Sequence, residues 1–137
     1  MIAEIGRSKM KKITKTDSEW KKLLSELSYE VTRKSATERP FIKHSFPNIQ
    51  GLFYCVCCDL PLFSSETKYD SGSGWPSFYS ALNKEAIVEK GDNSHNMERV
   101  EALCARCDAH LGHIFPDGPK PTGLRYCING SALSFKN

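Results

Sequence analysis

The chain has 137 residues, the size of one domain. With 39% hydrophobic and 26% charged residues it is not a disordered, collagen-like or coiled-coil sequence, and no window approaches the roughly 18 apolar residues a membrane span needs. The net charge of +3 is unevenly spread: residues 1–43 hold eleven Lys/Arg against six Asp/Glu, residues 44–137 eight against ten. A nucleic-acid-binding domain gathers its basic residues around its recognition elements, so this N-terminal surplus argues against nucleic acid as a partner.

In chain order, residues 1–15 read as a basic, disordered tail carrying Arg7, Lys9, Lys11, Lys12 and Lys15, with no apolar stretch of the kind a secretory signal needs. One domain is expected over 16–137. Thr16 followed by Glu19 fits a capping box, and Trp20, Leu23, Leu24 and Leu27 fall at i, i+3, i+4, i+7, predicting one amphipathic helix over 17–28. Thr37-Glu38-Arg39-Pro40-Phe41 is a candidate start for a second short helix, limited by Pro40. From Gln50 onward the texture changes. Aromatic and β-branched runs predict strands at Gly51–Cys55, Ala86–Glu89, Arg99–Leu103, His113–Phe115, Leu124–Ile128 and Ala132–Phe135. Ser71–Gly74, Gly91–Ser94 and Pro116–Pro119 have turn composition. The expected fold is a mainly β, antiparallel domain with an N-terminal helix packed on it.

Six cysteines stand out in a chain without secretory features and point to a reducing compartment, the cytoplasm, with metal binding or chemistry as their use. Cys55-Val56-Cys57-Cys58 and Cys104-Ala105-Arg106-Cys107 form two Cys-x-x-Cys pairs separated by 45 residues. Two such knuckles complete a tetrahedron around one zinc ion, with Cys55, Cys58, Cys104 and Cys107 as ligands and a structural role. His110 is a competing ligand, and one pair acting as a redox dithiol is the alternative.

Cys57 and Cys127 remain. In Leu124-Arg125-Tyr126-Cys127-Ile128-Asn129 the alternation turns Leu124, Tyr126 and Ile128 to the core and places Arg125, Cys127 and Asn129 together on the other face. Arg125 is then expected to favour the Cys127 thiolate and lower its pKa, and Asn129 to orient a polar ligand. His110 and His113, paired around Gly112, are acid–base candidates. The small-residue loop Ser71–Gly74 presents Trp75 either to the core or, with Phe115, as the wall of a small apolar pocket.

Taken together, Thr37–Phe41, the two cysteine pairs, Pro61-Leu62-Phe63, Tyr69–Phe78, His110–His113, Phe115–Pro119 and Arg125–Asn129 resemble the B-type methionine sulfoxide reductases, which reduce the R epimer of methionine sulfoxide. The match runs from about Trp20 to Phe135. The resemblance implies two antiparallel sheets with a zinc opposite the active site. It makes Cys127 the nucleophile, Trp75 the contact for the substrate's S-methyl group, and His110, His113, Arg125 and Asn129 the groups that hold and activate the reactants. It also implies a Cys127 sulfenic acid, recycled by thioredoxin or another thiol reductant, with oxidised proteins or peptides as substrates of a monomeric enzyme.

Two positions depart from the pattern. Ser73 stands where many relatives have a resolving cysteine, which closes that recycling route and leaves an external thiol as the expected reductant. Gly130 stands where relatives often have serine. Cys57 is a minor candidate for resolving Cys127. A zinc-knuckle binding module without chemistry, and a disulfide oxidoreductase acting through one Cys-x-x-Cys, are the competing functions.

Overall fold

A computed structural model describes residues 11–137; residues 1–10, most of the expected tail, lie outside the described residues. Just after them, Ile13 donates its N–H to the Arg106 carbonyl at 2.8 Å and Lys12 pairs with Asp108 at 2.7 Å. This segment therefore meets the domain at the second cysteine knuckle.

The capping box at Thr16 forms as the sequence predicts, with the Thr16 hydroxyl accepting from the Glu19 N–H and the Glu19 carboxylate accepting from the Thr16 N–H. The helix it opens, α1, is shorter than expected and covers Asp17–Leu23. Leu24 is extended, and the Ser25 hydroxyl accepts from the Ser28 N–H to cap a separate helix, α2, over Glu26–Lys34. A serine able to cap offers the backbone an alternative to continuing the helix, which is why the single element over 17–28 splits. The split rearranges the apolar face. Trp20 is buried, but Leu23 and Leu27 face solvent, and Tyr29 and Val31 of α2 supply the rest of the contact. The expected N-terminal helix is thus a pair. Thr37–Phe41 forms no helix: Glu38 is buried, Phe41 has a φ of 65°, and the Phe41 N–H donates to Gly74 O at 2.7 Å.

Nine strands are found among the described residues: β1 (Leu52–Cys55), β2 (Pro61–Ser64), β3 (Lys68–Tyr69), β4 (Ser77–Phe78), β5 (Ile87–Asp92), β6 (Arg99–Cys104), β7 (His110–Phe115), β8 (Arg125–Ile128) and β9 (Leu133–Lys136). They form two antiparallel sheets, in the orders β2-β1-β9 and β3-β4-β8-β7-β6-β5. All six expected strands are present with shifted ends. β7 begins at His110, three residues early, and β5 runs through Gly91-Asp92, where composition marked a turn. The short strands β2, β3 and β4 carry too few residues to show an alternation. Phe53, Phe63 and Phe78 are fully buried, with Phe63 and Phe78 stacked at 4.4 Å and Phe53 edge-on to Phe78 at 5.2 Å. Each fully buried Phe contributes about 2–3 kcal/mol of apolar transfer free energy, and these rings join β1 and β2 of the small sheet to β4 of the large one. No helix among the described residues is long and apolar enough to cross a membrane.

Candidate active site and metal centre

The two Cys-x-x-Cys segments fold into matching knuckles. In the first, the Cys55 N–H donates to Leu60 O at 2.9 Å and the Asp59 N–H to Cys55 O at 2.8 Å; in the second, Cys104 donates to Ala109 O and Asp108 to Cys104 O, both at 2.9 Å. Asp59 and Asp108 reverse the chain with φ of 65° and 64°, a conformation aspartate tolerates better than most side chains. An aspartate after each second cysteine is a local signal that the cysteine spacing alone passes over. The knuckles meet. Cys55 Sγ lies 3.6 Å from Cys107 Sγ, Cys58 Sγ lies 3.5 Å from Cys104 Sγ, and all four sulfurs fall within 4.8 Å of one another. An ion binding four sulfurs tetrahedrally at about 2.3 Å spaces them about 3.8 Å apart, so the cluster fits a closed metal site. Both pairs converge on one point, which counts against a free redox dithiol. His110 takes no part in the cluster. Arg33 of α2 donates to Cys107 O at 2.8 Å and approaches its sulfur at 3.6 Å, offsetting thiolate charge. Cys57 donates to Thr32 Oγ1 at 3.3 Å, on the same helix.

The other site is built by strand register. Cys127 on β8 stands directly opposite His113 on β7, and His113 opposite Glu101 on β6; one step along, Arg125 stands opposite Phe115. Directly opposed residues have Cβ atoms about 5 Å apart, so these side chains share one face of the large sheet, while Tyr126 and Ile114 point into the core. Gly112 allows β7 and β8 to close up here, because a Cβ at 112 would strike the Cys127 carbonyl.

Cys127, His113, Phe115, Trp75, Asn129, Thr37, Arg99 and Gly112 line one cavity of about 100 Å³. That is small for a free ligand and suited to the tip of a side chain. The Trp75 indole is fixed by donation to Glu38 O at 3.0 Å. Asn129 is buried and held on both sides, Nδ2 donating to Leu111 O at 3.0 Å and Oδ1 accepting from the Glu38 N–H at 3.1 Å. His113 donates from Nε2 to Asp92 at 2.8 Å. Asp92 also accepts from Arg99 at 3.2 Å and from the Ser94 N–H at 2.9 Å; Ser94, His113 and Arg99 together hold its carboxyl well below the usual range. His110 is not part of the cavity wall. It is buried and donates from Nδ1 to Glu101 at 2.6 Å, and burial pushes its pKa down despite that partner.

Arg125 stacks on Phe115, 4.4 Å from its ring, and pairs through two nitrogens with Asp117 at 2.9 and 3.2 Å. Its charge and the Ser73 hydroxyl lower the Cys127 pKa, but burial outweighs both and the thiol is pushed up from its ordinary value. The expectation of a net lowering by Arg125 is thereby corrected: the residues are adjacent as predicted, but desolvation is the larger effect and Asp117 absorbs part of the cation. Asp92, Arg99 and Glu101 carry no local motif; only the pairing of β5, β6 and β7 brings them to the histidines. Thr37, from the Thr37–Phe41 motif, lines the cavity as well. The buried side-chain polar atoms without a partner among the described residues are Tyr69 Oη, Arg99 Nε and His110 Nε2. Arg99 lines the cavity and His110 lies behind His113.

A family model described as the SelR domain matches residues 24–137. Proteins named "Peptide methionine sulfoxide reductase MsrB" are similar over nearly the whole chain. That of Pseudomonas putida (strain W619) is 56% identical over 128 residues, covering 93% of this chain and 96% of the relative. That of Pseudomonas savastanoi pv. phaseolicola is 56% identical over 125 residues (90% and 95%), and that of Hahella chejuensis 54% over 127 residues (92% and 91%).

Proposed function

The chain belongs to the SelR-domain family of peptide methionine sulfoxide reductases, MsrB, and on that premise we propose that its domain, residues 16–137, reduces methionine-R-sulfoxide, free or in oxidised proteins, through Cys127. The observation that carries this reading is Cys127 opposite His113 in a cavity sized for a side-chain tip and walled by Trp75 and Phe115. Trp75 and Phe115 receive the S-methyl group, while Asn129 and Arg125 hold the reacting centre. His110, buried behind His113 with ring centroids 5.5 Å apart, keeps that histidine in place.

The Cys127 sulfur attacks the sulfoxide sulfur and forms a transient S–S bond; the oxygen then passes to Cys127 as the S–S bond and the oxygen's bond to the methionine sulfur break, leaving Cys127 as sulfenic acid and releasing methionine. The oxygen needs one proton and the thiol releases one. A thiol whose burial preserves its proton until substrate arrives therefore suits the balance, with His113, oriented by Asp92, passing the proton across. Two equivalents of an external thiol, or one dithiol such as thioredoxin, then return Cys127 to the thiol and release water. Ser73 lies beside Cys127 and cannot form a disulfide, and Cys57 is engaged with Thr32 at the knuckle, so recycling is external.

Zinc is the ion proposed for the four-cysteine cluster; it supplies closed, redox-inert cross-linking of the knuckles and takes no part in the reaction. The protein works as a monomer in the cytoplasm, where the free cysteines stay reduced.

The test is one equivalent of R-sulfoxide peptide added without reductant, followed by mass spectrometry. A single added oxygen on Cys127, trapped by dimedone, is expected. A Cys57–Cys127 disulfide would overturn external recycling, and no turnover with any thiol reductant would overturn the function.

A further inference from the structure

Glu38 lies in the segment between α2 and β1 and takes no part in the chemistry above, yet its bonds reach two residues of the cavity wall, Trp75 and Asn129, and the turn that follows β8. Its side chain is 1% exposed. Oε1 accepts from the Ser131 N–H at 2.9 Å and the Ser131 hydroxyl at 2.7 Å; Oε2 accepts from the Gly130 N–H at 3.0 Å and from His44 Nε2 at 2.7 Å. Its own N–H donates to Asn129 Oδ1, and its carbonyl accepts from the Trp75 indole. A carboxylate this deeply buried persists only when its lone pairs are met by donors, and here four donors meet them. Three come from the turn that follows the Cys127 strand.

The fourth donor, His44, depends on its neighbour. A Cβ built on Gly130 would lie 2.6 Å from His44 Cγ and closer still to Cδ2 and Nε2. The imidazole reaches Glu38 only because residue 130 has no side chain.

We propose that Glu38 is a positioning residue for the reduction at Cys127, and that His44 and Gly130 are a matched pair that seats its carboxylate. The inference rests on the function proposed above. Glu38 touches no reacting atom. It holds Trp75 and Asn129 at the substrate's side of the cavity and fixes the Asn129–Ser131 turn, so its loss registers first in substrate capture.

The experiment compares wild type, Glu38→Gln, Gly130→Ser, His44→Ala and the double variant His44→Ala/Gly130→Ser. Readouts are KM and kcat for an R-sulfoxide peptide with dithiothreitol, and the Trp75 indole N–H resonance in ¹⁵N-labelled protein, with Trp20 as internal reference. Glu38→Gln keeps the side-chain volume but aims an NH₂ group at donors. It is expected to raise KM about tenfold, to change kcat by less than about threefold and to shift the Trp75 resonance. Gly130→Ser is expected to do the same, and removing the His44 ring in the double variant to return both readouts towards wild type. If Gly130→Ser fails to fold, recovery of a folded protein in the double variant supports the pair, and continued failure overturns it. A double variant no better than Gly130→Ser, or Glu38→Gln with wild-type KM and Trp75 resonance, overturns the proposal. Absence of turnover in wild type would sink the reductase reading, while the Trp75 resonance would still decide the positioning one.

Discussion

The protein keeps two cysteine centres, and they are built on opposite plans. At the knuckles the bonds that turn each segment, Cys55 N–H to Leu60 O and Asp59 N–H to Cys55 O with their counterparts at Cys104 and Asp108, span five residues or fewer, the same pattern occurs twice, and the four cysteine sulfurs converge within 4.8 Å of one another. At Cys127 the cavity wall comes from residues 37, 75, 99, 113, 115 and 129, with Asp92 behind His113, drawn together by sheet register and by the loops that flank it. The first plan yields a metal-binding geometry whose turns local sequence can specify. The second surrounds Cys127 with an environment that exists only once the whole sheet has formed. On the function proposed above, stability and reactivity fall to different cysteines according to how far along the chain each must look for its neighbours.

This contrast can be broken most sharply at Cys127. Cys127→Ser is expected to lower sulfoxide reduction by at least about a thousandfold while moving Tm by less than about 4 °C, measured by steady-state assay and thermal melting. A large fall in Tm would mean that the thiol also serves the fold. Cys104→Ser should do the reverse in kind: metal content falls, and Tm drops by about 10–20 °C, with activity lost as a consequence of unfolding. A well-folded, metal-free Cys104→Ser protein would remove the knuckles' structural role.

Smaller effects sharpen the reactive side. Asp92→Asn should lower kcat about 10–100-fold with little change in KM, because it misorients His113 without touching the cavity wall. An unchanged kcat would leave His113 without a need for its partner. For Cys127 itself, burial raises the thiol above its ordinary value of 9.0. Alkylation by iodoacetamide should therefore keep climbing with pH beyond the range where an exposed cysteine levels off, and Arg125→Ala should move the rise to still higher pH. The linked stability has the matching sign. The native state holds its proton more tightly than the unfolded chain, so this contribution is complete below the ordinary thiol pKa and is lost as pH rises towards the raised one. An alkylation profile that levels off below pH 9 would show the Arg125 charge to outweigh desolvation.

The same difference in range explains what could be read in advance. The two cysteine pairs, the capping box at Thr16 and the alternation around Cys127 are short-range patterns, and the structure has the four clustered sulfurs, the box and the alternation. The break at Ser25 was hidden because Leu24 and Leu27 continue the helical spacing across it, although the Ser25 cap competes locally. Asp92 is not legible in advance because Gly91-Asp92-Asn93-Ser94 has turn composition, yet pairing with β6 carries β5 through Asp92. By sequence Glu38 falls in a candidate helix start, and only the docking of residues 129–131, more than ninety positions away, reveals a buried carboxylate. The histidine pair is legible as an acid–base candidate from its own spacing, whereas spacing leaves Trp75 divided between core and pocket and only the resemblance points it at a substrate.

Helix α2 touches both centres within two turns. Arg33 grips the Cys107 knuckle, Thr32 receives the Cys57 thiol, and the Ser28 hydroxyl donates to Ser131 O at 2.6 Å, on the turn that Glu38 anchors beyond Cys127. In mechanical language the helix is a strut loaded at both ends, and the two cysteine centres are coupled in series through it. On the function proposed above, slack introduced at the knuckle is taken up at the turn that follows Cys127, so the reactivity of that one thiol becomes a gauge of the integrity of the four clustered cysteines.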